Sequence, residues 1–224
     1  MKKISLNNII LFRQKSDKGR QTLLNNLKRE GEAKSDGSGG NYWVRSLSAL
    51  SNGFKLKDTQ PIKEKISEIL ELFTPSLIKQ TKDMYERNLS ILHNYEDFDF
   101  SNWLPENSEI LTKTNKKSII YINTIPVQIT PSQIYSFEKE GKQCVGAVWF
   151  IAKLEGYKTE ELGMFVEALY IYLSSNFDEK FEISPENCLV VDVLSKKEIN
   201  YQMLVDEDVP SIFSNTLELI KMTL

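Results

Sequence analysis

Residues 144–152 read Cys-Val-Gly-Ala-Val-Trp-Phe-Ile-Ala, nine positions without a charge or a strongly polar side chain. The run is too short for a membrane span, which needs about 18 or more apolar residues. Its β-branched and aromatic residues predict a strand covered on both faces, because a half-exposed strand would alternate with polar side chains. A second such segment follows at 188–194, Cys-Leu-Val-Val-Asp-Val-Leu. Between them, Leu162, Phe165, Val166, Leu169, Tyr170 and Leu173 recur at helical spacing over 160–175. The chain must therefore supply covering layers on two sides of a sheet. Its 224 residues suffice, since a chain of this length buries roughly 70% of its unfolded surface.

Further helical segments are found upstream. A helix is expected after Ser16, and another over 42–54 from Trp43, Leu47, Leu50 and Phe54. Pro61 in a first turn and Thr59 as a cap open a third through Ile62, Ile66, Ile69, Leu70 and Phe73. A fourth runs through Leu77, Ile78, Met84, Tyr85, Leu89 and Leu92. Short β-branched segments at 118–122 and 127–129 are strands, as is 132–137, which leads into a hairpin turn at 138–142. Pro210 begins a C-terminal helix with Ile212, Phe213, Leu217 and Ile220. The expected fold is α+β: a helical half over residues 1–100 packed on a mixed sheet formed by 101–224, with an α-β-β-β-α-β core and a C-terminal helix. No linker separates the halves, so one continuous unit is expected.

The composition narrows the chemistry. There is one histidine, His93, and there are two cysteines, Cys144 and Cys188, with a net charge of −3. Most zinc sites and any Ser-His-Asp arrangement away from His93 are excluded. The polar residues Asn7, Asn8, Arg13 and Gln14 interrupt any apolar leader, so a cytoplasmic protein without a membrane segment is expected. Reduced, buried cysteines fit that compartment. The charge is segregated: Lys2, Lys3, Arg13, Lys15, Lys18, Arg20, Lys28 and Arg29 crowd the N-terminal region, and acidic residues crowd 155–208. Such a basic region is a candidate nucleic-acid footprint, and a solvated basic helix is the alternative.

The α-β-β-β-α-β order over residues 80–195 resembles the restriction-endonuclease-like PD-(D/E)xK core. That resemblance implies an acid at the start of the second strand and an acid-x-Lys on the third, together holding a divalent metal such as Mg²⁺. Here Thr130-Pro131-Ser132-Gln133 stands at the first place and Ile151-Ala152-Lys153 at the second. Lys153 matches, whereas Ser132, Gln133 and Ile151 carry no carboxylate. A nuclease built on this chain would need a displaced set, Lys153 with Glu138, Glu155 and Glu167, and Mg²⁺ as its cofactor. The other reading needs no metal and no catalytic residue.

Remaining features fit structural roles or binding. His93 stands at a helix end, where it serves as a cation partner. Asp192, flanked by Val191 and Val193, must reach a solvent face or a hydrogen-bonding partner. The Gly- and Ser-rich stretch 31–40 lacks the Gly-Lys-Ser/Thr of a P-loop and is expected as a flexible loop, or as one that closes on an anion. Tyr42, Trp43, Phe98, Phe100 and Trp103 are candidates for a partner interface, where aromatics dominate binding energy. They also suit base stacking or the capping of the core. The texture of the chain resembles small bacterial proteins of mobile-element or phage-defence neighbourhoods. The expected function is a non-catalytic accessory subunit that docks on a larger protein partner and holds nucleic acid. A metal-dependent nuclease is the alternative.

Overall fold

The computed structural model describes residues 3–29, 42–111 and 117–224, so the Gly/Ser stretch 31–40 lies outside the described residues. The fold is α+β. A short strand β1 (Ile4–Ser5) leads into helices α1 (Leu6–Gln14), α2 (Asp17–Arg29), α3 (Val44–Leu56), α4 (Gln60–Glu71) and α5 (Lys79–His93). A 3₁₀ turn over Phe100–Trp103 precedes β2 (Glu109–Ile110), β3 (Ile119–Ile122), β4 (Ile125–Gln128), β5 (Gln133–Lys139) and β6 (Lys142–Ile151). Then follow α6 (Thr159–Phe177), β7 (Glu182–Asp192), β8 (Lys197–Asn200), a single turn α7 (Gln202–Val205) and α8 (Phe213–Thr223).

The main sheet has five strands in the order β2-β5-β6-β7-β8. All its neighbours are antiparallel except β6 and β7, which run parallel with α6 between them in the chain. The hairpin β5–β6 turns at Glu140 and Gly141, whose φ values of +54° and +76° suit a two-residue turn between twisted strands. The expected strands at 118–122 and 127–129 do form, but as a hairpin paired with β1 in a separate three-stranded sheet, β1-β4-β3. The edge place in the main sheet belongs instead to β2, only two residues long and therefore silent in the sequence.

Strand β6 is covered on both faces, as its apolar run requires. Val145, Ala147, Trp149 and Ile151 face one hydrophobic cluster, and Cys144, Val148 and Phe150 face the other. The first cluster is closed by α1, α2, α6 and α8, the second by α3, α4, α5 and the 3₁₀ turn. The helices before residue 100 thus divide between the two faces of one sheet. Residues 6–14 were expected only as a polar-interrupted leader. They form α1 because Leu6, Ile9, Ile10 and Phe12 fall on one face and are buried, while Ser5 Oγ accepts from Asn8 N at 3.3 Å and caps the helix.

Three aromatic residues assigned to a partner interface belong to the interior. Phe100 is 2% and Trp103 6% exposed, and Phe98 packs beside them with its ring centroid 4.2 Å from that of Trp103. They fill the space between the helices and the sheet, since a large ring removes more apolar surface there than at a loop tip.

Candidate binding cleft

The carboxyl end of β6, which runs parallel to β7, opens into a cleft lined by Ala152, Lys153 and Leu154. Ligand sites collect at such ends of parallel strands because the connections leaving them diverge. The cleft has a volume of about 380 Å³ and lies between α1, the Tyr42–Trp43 corner before α3, Arg87 of α5 and the loop after β6. An adjoining recess of about 360 Å³ shares Asn7, Trp43, Ala152 and Tyr157 with it and reaches in over Phe150 and Ile151.

Hydrogen bonds and ring contacts hold this lining. The buried carboxamide of Asn88 donates from Nδ2 to Tyr42 O and Met84 O, both at 2.8 Å, and accepts from Ser46 N at 3.0 Å on Oδ1. It thereby caps α3 from α5 and fixes the aromatic corner. The Tyr42 and Trp43 rings meet edge to face at 4.7 Å. The Arg87 guanidinium donates to Tyr42 Oη at 2.5 Å and lies 5.7 Å from the centre of that ring. On the opposite wall, Glu161 of α6 accepts from Gln14 Nε2 at 2.5 Å, from Lys158 N at 3.0 Å and from Lys153 Nζ at 3.4 Å. Lys153 also sits 5.2 Å from the centre of the Tyr157 ring. Tyr157 donates its hydroxyl to Asn7 Oδ1 at 2.9 Å, and burial, with the nearby charges of Asp192 and Glu161, pushes its pKa well above the ordinary tyrosine value.

Asp192 finds its partner inside the protein. Its carboxylate is fully buried and accepts from Tyr157 N at 3.0 Å, Ser195 Oγ at 2.7 Å and Leu194 N at 3.3 Å. These bonds clamp the loop after β6 to the turn after β7. A buried carboxylate is tolerated here because each bond is charge-assisted.

The lining thus carries two cations, Arg87 and Lys153, beside aromatic rings and the amides of Asn7, Asn8 and Gln14. Among the described residues no carboxylate lines it; Glu161 stands behind Lys153 and uses one of its three donors. Such a wall suits a ligand that combines negative charge with a flat face.

The residues of the displaced nuclease set do not converge. Glu138 pairs with Gln143 near the hairpin end of β5–β6, roughly 25 Å along the strand from the end that carries Lys153. Glu167 is buried and accepts from Ser211 Oγ, Ser214 Oγ, Phe213 N and Ser214 N, so it caps the N-terminus of α8. Glu155 lies exposed in the loop after β6. The two places assigned to metal-binding acids do adjoin: Ser132 N donates to Val148 O, and Ser132 Oγ accepts from Phe150 N, each at 2.9 Å. Yet Gln133 is tied to Ser51, and Ile151 is buried in the core. Among the described residues no group of three or more His, Cys, Asp or Glu stands where it could hold a metal ion.

The remaining candidates are scattered. Lys2 lies outside the described residues, Lys3 is exposed, and Arg29 is exposed at the end of α2. Arg13 donates to Thr216 Oγ1, Lys28 to Leu224 O, and Arg20 to Phe12 O, Arg13 O and Asp17. Lys15 and Lys18 line a separate groove on α1 and α2. His93 pairs with Glu96 at 3.0 Å at the end of α5. Both cysteines are free and buried, and burial pushes their thiols up from the usual value. Arg87, Asn88 and Tyr157 had no signal in the sequence beyond their residue type, whereas Glu161 was legible as a first-turn acid of α6 and as a candidate partner of Lys153. No helix among the described residues is long and apolar enough to cross a membrane. Comparison with protein-family models, with curated proteins and with solved structures finds no match.

Proposed function

We propose that this chain is a non-catalytic accessory protein that holds single-stranded nucleic acid in the cleft at the end of β6. The observation that carries the reading is the pairing of Arg87 and Lys153 with the Tyr42–Trp43 corner in one lining that holds no carboxylate among the described residues. Sequence-tolerant strand binding needs this combination, cations for the phosphates and aromatic faces for the bases. The carboxylates available for metal chemistry support the same reading, because Glu161, Glu167 and Asp192 already hold helix ends and loops together. The adjoining of the Ser132 and Ile151 regions supports a PD-(D/E)xK-like scaffold that keeps the strand-binding side of the core without its acids. Chemistry on the strand then falls to a larger protein partner.

The test is fluorescence anisotropy with a labelled dodecathymidylate at low salt. The wild-type chain is expected to bind it, and the double variant Arg87→Gln/Lys153→Gln to bind at least tenfold more weakly while retaining the wild-type circular dichroism spectrum. Incubation with Mg²⁺ or Mn²⁺ is expected to leave the oligonucleotide intact. Absence of binding by the wild-type chain, or equal binding by the double variant, overturns the reading. Metal-dependent cleavage abolished by Lys153→Gln would establish the nuclease instead.

A further inference from the structure

We infer that the bound strand leaves the cleft across Leu11 and continues along a second groove, so that Lys15 and Lys18 bind its next phosphates. The inference rests on the nucleic-acid reading of the cleft and extends it to a site outside the PD-(D/E)xK-like core. Leu11 joins the two recesses, because it lines both the cleft and a groove of about 480 Å³ on α1 and α2. It is 38% exposed, an apolar ridge between two recesses. The groove beyond it is lined by Lys15, Ser16, Lys18, Thr22 and Asn26, with no carboxylate among the described residues. Gly19 also lines it, and a Cβ there would lie 3.1 Å from Lys15 Cβ, so the lysine stem packs closely against the glycine.

The other basic residues of this region are differently placed. Arg13, Arg20 and Lys28 donate to the protein itself. Lys15 and Lys18 make no ion pair with a described residue; Lys18 is exposed and Lys15 half-buried where they line the groove. A compact ligand confined to the cleft would leave this aligned groove without a role. An extended polyanion uses both. From Asn7 to Lys15, α1 advances eight residues, about 12 Å, which equals about three to four stacked nucleotides.

The experiment compares labelled trithymidylate and dodecathymidylate, with the wild-type chain and the groove variant Lys15→Ala/Lys18→Ala. Each phosphate neutralised on a single strand contributes about −0.7 to the slope of log K against log salt. The variant is therefore expected to bind dodecathymidylate at least fivefold more weakly, with a slope shallower by about 1.4, while its affinity for trithymidylate stays unchanged. Equal affinity and slope for dodecathymidylate would overturn the extended track, and the cleft reading would stand provided that Arg87→Gln still weakens binding. Failure of the wild-type chain to bind either oligonucleotide would overturn both. A polyglutamate peptide of equal charge binding as tightly as dodecathymidylate would also overturn the assignment, since charge alone would then explain the groove.

Discussion

Asn88 Nδ2 donates to Tyr42 O at 2.8 Å, and through that bond a buried residue of α5 sets the aromatic wall of the cleft. The same carboxamide accepts from Ser46 N, so both of its ends are used. Asn88→Ala leaves a backbone carbonyl and an amide unpaired in the interior, at a cost of about 3 kcal/mol. The expected result is a lowered urea midpoint together with increased quenching of Trp43 fluorescence by acrylamide. Asn88→Asp should behave similarly, because a carboxylate cannot donate to Tyr42 O. An unchanged midpoint in both variants would show that the corner is held by other contacts.

Asp192 is the corresponding pin on the other wall. Asp192→Ala removes the acceptor of Tyr157 N, Leu194 N and Ser195 Oγ and is expected to destabilise the fold by about 3 kcal/mol. The loop after β6 would then open before the core does. Hydrogen exchange should show it as faster exchange at Tyr157 and Gly156 than at Val148.

Gly146 marks the tightest approach in the sheet. A Cβ there would lie 2.7 Å from Asn187 O and 2.9 Å from the Tyr135 ring, beside the point where the β6–β7 register shifts after Val145. Tyr135 is anchored through its hydroxyl to Trp103 O and Asn187 O, so neither neighbour yields easily. Gly146→Ala is expected to cost about 2 kcal/mol by overpacking, read as a fall in Tm. A neutral result would mean that the 184–187 segment moves freely.

Alkaline pH should unfold the protein early. Burial raises the pKa of Tyr95, Tyr135 and Tyr157 well above that of a free tyrosine, and that of Tyr172 and Tyr201 as well. The unfolded chain then releases these protons first, near pH 10. Above that pH the native state binds more protons than the unfolded state, so stability falls as pH rises. A urea midpoint that is flat with respect to tyrosine ionisation between about pH 8 and 9.5 and drops steeply above about pH 10 is expected. Tyr157→Phe should soften the drop.

The parts of the fold legible in the sequence were those with a long periodic signal. The apolar run at 144–152 specified a strand with two covered faces, and α3 to α6 followed from apolar spacing. Strand β2 escaped because two residues carry no period. Helix α1 escaped because Asn7 and Asn8 broke the leader pattern, although its buried face is ordinary. The cleft was less visible for a different reason. Asn7, Trp43, Arg87 and Lys153 come from four distant segments, and only the packing of α1 and α3–α5 against opposite faces of one sheet brings them together. Asn88 gave no sign either, since a polar residue inside an amphipathic helix normally faces water. The interface expected at Phe98, Phe100 and Trp103 illustrates the converse: a loop sequence rich in aromatics folded inward because the gap between helices and sheet needed filling.

The most direct test of the nucleic-acid reading is photocrosslinking of dodecathymidylate to the wild-type chain, followed by mass spectrometry of the linked peptides. Crosslinks at Tyr42, Trp43 or Tyr157, removed by unlabelled oligonucleotide and by Arg87→Gln/Lys153→Gln, are the predicted result. Crosslinks confined to other surfaces, or none at saturating oligonucleotide, would contradict it.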